Sequence, residues 1–253
     1  MNPAKPGCET GAFPPQGRGL ALAFRGPVAQ GIERPPPKRQ VDGSNPSGVT
    51  RPAGEGSVTR SADLQLFLDE IALALGGITE GAAAAAALRI GARLAGRQGT
   101  PLETAGAAAE RLPICDEIAA VLAVAERGPR GRLARAFGAL QGQLAWRRRP
   151  SADPDDARFW HGHANAEILG PKGMERRSDL WIGASLMAPG VDYPRHSHAP
   201  EEIYFALSPG EWWNAQMDWT DPGPAGHVYN PPGIAHAMRS GSSPMLALWV
   251  LPL

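Results

Sequence analysis

The run Tyr193-Pro-Arg-His196-Ser-His198-Ala-Pro-Glu-Glu202-Ile-Tyr204 gathers metal-binding and proton-transfer chemistry in one short segment. Histidines one residue apart lie on the same face of an extended strand, because side chains alternate with period two. Glu202 follows His198 closely enough for a tight turn to return its carboxylate beside the imidazoles. His236 arrives separately, behind Pro231-Pro-Gly233-Ile-Ala. Three neutral imidazole nitrogens and one carboxylate oxygen make a divalent-metal site. Four protein ligands leave positions open on an ion that takes five or six, which a catalytic centre requires and a structural zinc site lacks. The expected ligands are therefore His196, His198, Glu202 and His236.

Two tyrosines flank this set. Tyr204 shares strand parity with Glu202, so its hydroxyl is expected on the metal side, and Tyr193 leads into His196. A phenol titrates near ~10 and serves as a base at neutral pH only where a cation stabilises the phenolate. Tyr204 is the expected base and Tyr193 its alternative. Trp212, Trp213, Trp219, Tyr229 and Trp249 are core residues by default. Trp213, Tyr229 and Trp249 are also candidates to line the substrate site, since aromatic faces attract onium groups. His161 and His163 form a second His-x-His without a glutamate at the right distance, and His163 is assigned to the substrate shell rather than to the metal.

The order Gly190, five residues, His196-x-His198, three residues, Glu202, and later Pro231-x-Gly233-x-x-His236 resembles the two metal motifs of the cupin superfamily. The chain departs from that pattern in two places: the glycine after Glu202 comes one residue late, at Gly210, and Ser240 replaces the asparagine that often closes the second motif. Within the cupins, Tyr193 three residues before the first histidine, Tyr204 two after the glutamate, and Glu211-Trp212-Trp213 after the turn look like the bacterial dimethylsulfoniopropionate lyases. The resemblance implies an antiparallel jelly-roll barrel with a metal at its mouth. It implies cleavage of a small zwitterion, dimethylsulfoniopropionate, to dimethyl sulfide and acrylate by β-elimination. One divalent ion, Zn, Fe(II), Mn, Co or Ni, would act as Lewis acid and a tyrosine as base. Two other readings use the same ligands: a different metal cupin enzyme, a dioxygenase or isomerase acting on a small carboxylate, and a non-enzymatic metal-dependent ligand sensor. Tyrosines on both sides of the metal motif favour the lyase.

Three regions position these residues. Residues 1–58 are dense in Pro, Gly, Arg and Ser without an apolar period, so they are expected to be disordered or a spurious extension, with the folded protein starting near Val58 or Ser61. Residues 59–149 read as helical. Leu64, Phe67, Leu68, Ile71 and Leu75 fall on one stripe, Thr100-Pro101-Leu-Glu103 reads as the capped start of a further helix, and Ile114 to Ala125 and Leu133 to Leu144 supply later apolar faces. The arginines of Arg147-Arg-Arg-Pro150 read as a polar linker. From 150 to 253, short apolar runs between Gly/Pro turns predict strands, among them Leu180 to Met187, Ile203 to Leu207, Trp213 to Trp219 and Met245 to Leu251. The fold class is thus mainly β, a cupin barrel preceded by an α-helical cap.

The 253 residues carry 25 basic and 25 acidic side chains, a balance that gives no electrostatic argument for nucleic acid or an anionic membrane. Cys8 and Cys115 lie in regions of different character and suit a reducing cytoplasm better than a disulfide framework. No window approaches the ~20 apolar residues of a membrane span. A small-molecule substrate and a homodimer are the expected partners.

Overall fold

A computed structural model describes residues 60–96, 99–101 and 110–253. Residues 1–58, with Cys8, and Glu103 of the capping signature lie outside the described residues. Helix α1 (Ala62–Gly76) begins where the Ser61 hydroxyl accepts the Leu64 N–H at 3.2 Å, and Gly77 caps its end. Its buried side carries the five residues of the stripe read from spacing. Helix α2 (Gly81–Gly96) buries Ala86, Ala87 and Ile90. Pro113 opens a 3-10 turn that runs into α3 (Ile118–Ala125), and α4 (Gly131–Leu140) follows. Phe137 of α4 stands between the rings of Phe67 and Trp146, each centroid 6.3 Å away, which ties the helices to one another and to the sheet. A short α5 (Ala157–Gly162) leads into the main strands.

The strands are β1 (Thr100–Pro101), β2 (Trp146–Arg147), β3 (His163–Gly170), β4 (Glu175–Arg176), β5 (Leu180–Met187), β6 (Asp192–His196), β7 (Glu202–Ala206), β8 (Glu211–Asn214), β9 (Met217–Thr220), β10 (His227–Asn230), β11 (His236–Arg239) and β12 (Met245–Pro252). They form two sheets. The larger runs β1-β4-β3-β5-β12-β7-β10, with β2 also on β3, and the smaller runs β6-β11-β8-β9. Pairing is antiparallel except between β3 and β4. Mainly β, with helices ahead of two facing sheets, the architecture fits a cupin jelly roll.

Period-two alternation divides the larger sheet into two faces. Ile182, Ala184, Leu186, Ile203, Phe205, Leu248 and Val250 join the core shared with the helices. Met187, Tyr204, Ala206, Ala247, Trp249 and Leu251 point the other way and pack with Tyr193, Trp212 and Met238 of the smaller sheet. The space between the sheets is therefore where Glu202 and Tyr204 meet the residues of β6 and β11.

Two local expectations are corrected. Thr100–Pro101 is a strand paired with β4, so Pro101 is not a first helical residue, and the rest of that expected helix lies outside the described residues. The Gly99 N–H donates to Glu175 Oε1 at 2.7 Å, and Arg60 grips the same carboxylate at 2.6 and 2.8 Å, so tertiary bonds override the local capping signal. The run Trp213 to Trp219 is not one strand but the hairpin β8–β9, turned at Ala215-Gln216. Asn214 makes that turn, its side-chain oxygen accepting the Gln216 N–H at 2.9 Å.

Candidate metal centre

His196 ends β6, opposite His236 at the start of β11. Two positions further toward the other end of β11, Met238 faces Tyr193, so β6 spends three steps where β11 spends two. The extra residue is a β-bulge at Pro194-Arg195, and it returns Tyr193 and His196 to the same inward face although their offset is odd. Arg195 is left outside, 4.0 Å from the centroid of the Trp213 ring.

His198 corrects the shared-strand argument. The strand stops at His196, and His198 sits in the following loop. Its carbonyl accepts the Gly233 N–H at 2.9 Å, and Gly233 adopts φ +72°, the left-handed conformation that lets the Pro231 turn close on the first motif. Ser240 closes the other end of the same assembly. Its hydroxyl accepts the Val191 N–H at 2.8 Å and donates to the Ala188 carbonyl at 2.6 Å, so the loop bonds are made without the asparagine of the cupin pattern.

The three imidazoles converge, with ligand atoms within 4.8 Å of one another. Each is oriented by its own neighbourhood: Nδ1 of His196, His198 and His236 lies 2.9, 2.9 and 3.0 Å from the carbonyls of Pro194, Pro200 and Ile234. With Nδ1–H donated there, every Nε2 turns a lone pair inward. Glu202 Oε2 stands 3.3 Å from His198 Nε2 and 3.2 Å from His236 Nε2. His236 Nε2 is nevertheless buried without a hydrogen bond. Acceptors facing acceptors in a buried cluster call for a cation between them, so the donor set fits a divalent metal.

Charge states agree with that fit. Burial, helped by His236 and Arg149, pushes His196 down to about 3, so its ring stays neutral. Burial raises Glu202, but its close approach to His198 and His236 outweighs this and holds the carboxyl well below the usual range. Burial lowers His198, yet the same carboxylate leaves it net raised above 6.5. Below that raised value a proton occupies His198 against the ionised Glu202, and a metal must displace it. Below the raised His198 value the competing proton is present, and above it the lone pair is free. Metal affinity is expected to fall about tenfold per pH unit below that point, as chelator competition at a series of pH values will show.

The remaining site residues are placed unevenly. Tyr193 and Tyr204 are both buried beside the cluster, their rings 5.2 Å from His196 and 6.5 Å from His236. The Tyr193 hydroxyl accepts the Asn165 side-chain N–H at 3.0 Å, and Asn165 is in turn held by Ser185 at 2.7 Å. Burial raises both phenols, and the adjacent Glu202 carboxylate raises Tyr204 further. Trp249 lies on the same inward face, paired with Tyr204 and with Gly183, where any β-carbon would strike the indole at 2.1 Å. The structure does not bring the other three candidates to the cluster. Trp213 is on the outer face under Arg195. Tyr229 is on the helix side, its hydroxyl donating to Glu201 at 2.9 Å. His163 is fully buried, with Nδ1 bonded to the Phe159 carbonyl and Nε2 accepting the Arg149 N–H. His161 is exposed on α5.

Sequence reasoning missed the supporting amides. Asn230 donates to Glu202 Oε2 at 3.3 Å and accepts from Asn214 at 3.1 Å, an arrangement that fixes which carboxylate oxygen faces the imidazoles. Their buried positions on β8 and β10, in phase with inward neighbours, were the available signal.

Inward imidazoles between the two sheets of a jelly roll define a cupin-type protein. Two solved structures share this fold with TM-scores of 0.57. One is the DMSP lyase DddQ of Ruegeria pomeroyi, 24% identical, aligned over 77% of this chain and 93% of its own; the other, from a study of the DMSP lyases RdDddP and RnDddQII, is 20% identical over 76% and 93%. The profile of the dimethylsulfoniopropionate lyase family matches residues 86–247, and the chain belongs to that family. A Cereibacter sphaeroides protein provisionally named dimethylsulfoniopropionate lyase DddL is 32% identical over 136 residues, 53% of this chain and 56% of the relative. The Ruegeria pomeroyi lyase DddQ is 34% identical over 116 residues, 45% and 57% of the two chains. The chain thus spans just over half the length of the curated relatives that it matches. Among the described residues no helix is long and apolar enough to cross a membrane.

Proposed function

We propose that the protein cleaves dimethylsulfoniopropionate to dimethyl sulfide and acrylate. The observation that carries this reading is the convergence of His196, His198, His236 and Glu202 beside two buried tyrosines, in a chain of that family. A divalent ion held by those four residues would neutralise Glu202, favour a phenolate nearby and draw electron density from a substrate carboxylate. Tyr204, next to Glu202 on the inward face, then removes a proton from the carbon beside the carboxylate. The electron pair left behind forms the carbon–carbon double bond as the carbon–sulfur bond breaks. Sulfur keeps the bonding pair and leaves as neutral dimethyl sulfide, so no oxidant or reductant is consumed.

Tyr193, fixed by Asn165 and Ser185, is the alternative base and otherwise orients the substrate. The burial of both rings keeps water from competing for the proton. Trp249 offers its aromatic face to the sulfonium end. The test is headspace detection of dimethyl sulfide from the purified, metal-loaded protein. Release at catalytic turnover with acrylate formed in equal amount is expected, and no release with any of the five candidate metals would sink the reading.

A further inference from the structure

The three arginines before Pro150, which read as a linker, have different fates. Arg147 pairs with Glu110 at 2.8 Å near the surface. Arg148 donates to the Trp160 carbonyl at 2.7 Å and covers the Trp160 ring. Arg149 turns inward, its guanidinium carbon 5.5 Å from the centroid of the Tyr193 ring. It is half-buried, and among the described residues no carboxylate pairs with it. Its backbone is anchored on both sides, the N–H donating to His163 Nε2 and the carbonyl accepting the Ala152 N–H, each at 2.9 Å. His163 is itself clamped, stacked on Phe159 with ring centroids 3.7 Å apart. The charge of Arg149 is felt most at Tyr193 and also reaches His196, His198 and Tyr204.

A guanidinium taken partly out of water without a counter-charge is costly unless a ligand supplies one. Its planar fork matches a carboxylate in bidentate geometry. We propose that Arg149 is a specificity-determining residue that grips the substrate carboxylate at the edge of the metal cluster. This rests on the reading of the site as one for a small zwitterion. The same charge repels the sulfonium, so Arg149 sets which end of the molecule lies over Tyr193 and sends the cationic end past Tyr204 toward Trp249. His163 becomes a positioning residue: it holds the Arg149 backbone and touches no ligand.

The test separates the two ends of the substrate. Propionate carries only the carboxylate and trimethylsulfonium only the cation, and each is titrated calorimetrically into metal-loaded, full-length protein. Arg149→Gln is expected to weaken propionate at least about tenfold, with metal content unchanged and trimethylsulfonium bound as before or more tightly. In turnover its loss should fall on KM rather than on kcat. Undiminished propionate binding overturns the proposal, as does a parallel loss of both probes. If the glutamine variant does not fold, Arg149→Lys decides: it keeps the stem over Tyr193 but not the fork, and a severalfold loss for propionate supports the assignment while native affinity refutes it. Because the probes need no chemistry, absence of dimethyl sulfide release would sink the proposed reaction and leave this result standing.

Discussion

Replacing Tyr204 by Phe should leave a folded, metal-binding protein that has lost at least a hundredfold of its dimethyl sulfide release, within the ~10²–10⁴ that general-base catalysis contributes. The ring packs against Trp212 at a centroid distance of 6.1 Å, and those apolar contacts survive the change. Only the hydroxyl beside Glu202 disappears. Tyr193→Phe is the companion measurement. It removes the acceptor for Asn165 and is expected to cost less, mainly by loosening the substrate. If the two losses exchange places, Tyr193 is the base. If neither variant nor the double variant loses activity, no phenol takes the proton, and Glu202 or a metal-bound hydroxide becomes the candidate.

His236→Ala should abolish both metal binding and activity. Losing an outer partner of a ligand already costs ~10–100-fold in affinity, and His236 is a direct donor whose Nε2 has no other hydrogen bond. His198→Ala is expected to behave in the same way. Exposed His161 is the control, and its alanine variant should keep a full complement of metal by elemental analysis. A full metal content in His236→Ala, with an empty His161→Ala, would show that the site is elsewhere.

Much of this site can be read without coordinates because its spacing obeys strand arithmetic. Glu202 and Tyr204 are two apart on β7, and both face the smaller sheet as parity requires. Where the chain breaks that arithmetic, reading fails. Parity alone would put Tyr193 and His196 on opposite faces, and the bulge at Pro194-Arg195 cancels the mismatch. His198 reaches the cluster from a loop that Gly233 holds in place, not from the strand that its spacing suggests. The aromatic candidates misled for a related reason. An indole or phenol suits a sheet's outer face as well as its inner one, and only the register puts Trp249 inside while leaving Trp213 and Tyr229 outside. The amides Asn165, Asn214 and Asn230 have strand phase as their one local signal, and their partners are set only after distant strands are paired. In the helices, spacing succeeded for α1 because one stripe meets one core. The capping signature at Thr100 misled for Thr100 and Pro101, which pair with β4.

Glu201 and Glu202 are chemically alike neighbours, yet the strand sends one to each side of the sheet. Glu202 faces the imidazole cluster, while Glu201 is held by Arg89 of α2 at 2.7 and 2.9 Å and by Tyr229. The strands beneath are apolar on the helix side as well, β12 being buried along its whole length from Met245 to Pro252. For protein engineering, the barrel therefore has no seam along which it can be cut. A barrel expressed as 150–253 alone would present Ile203, Phe205, Leu248 and Val250 as a bare adhesive surface, with the anchor beside Glu202 removed. A smaller biocatalyst on this scaffold would have to keep the helices, or repaint that face with polar residues and give Glu201 a new counterion.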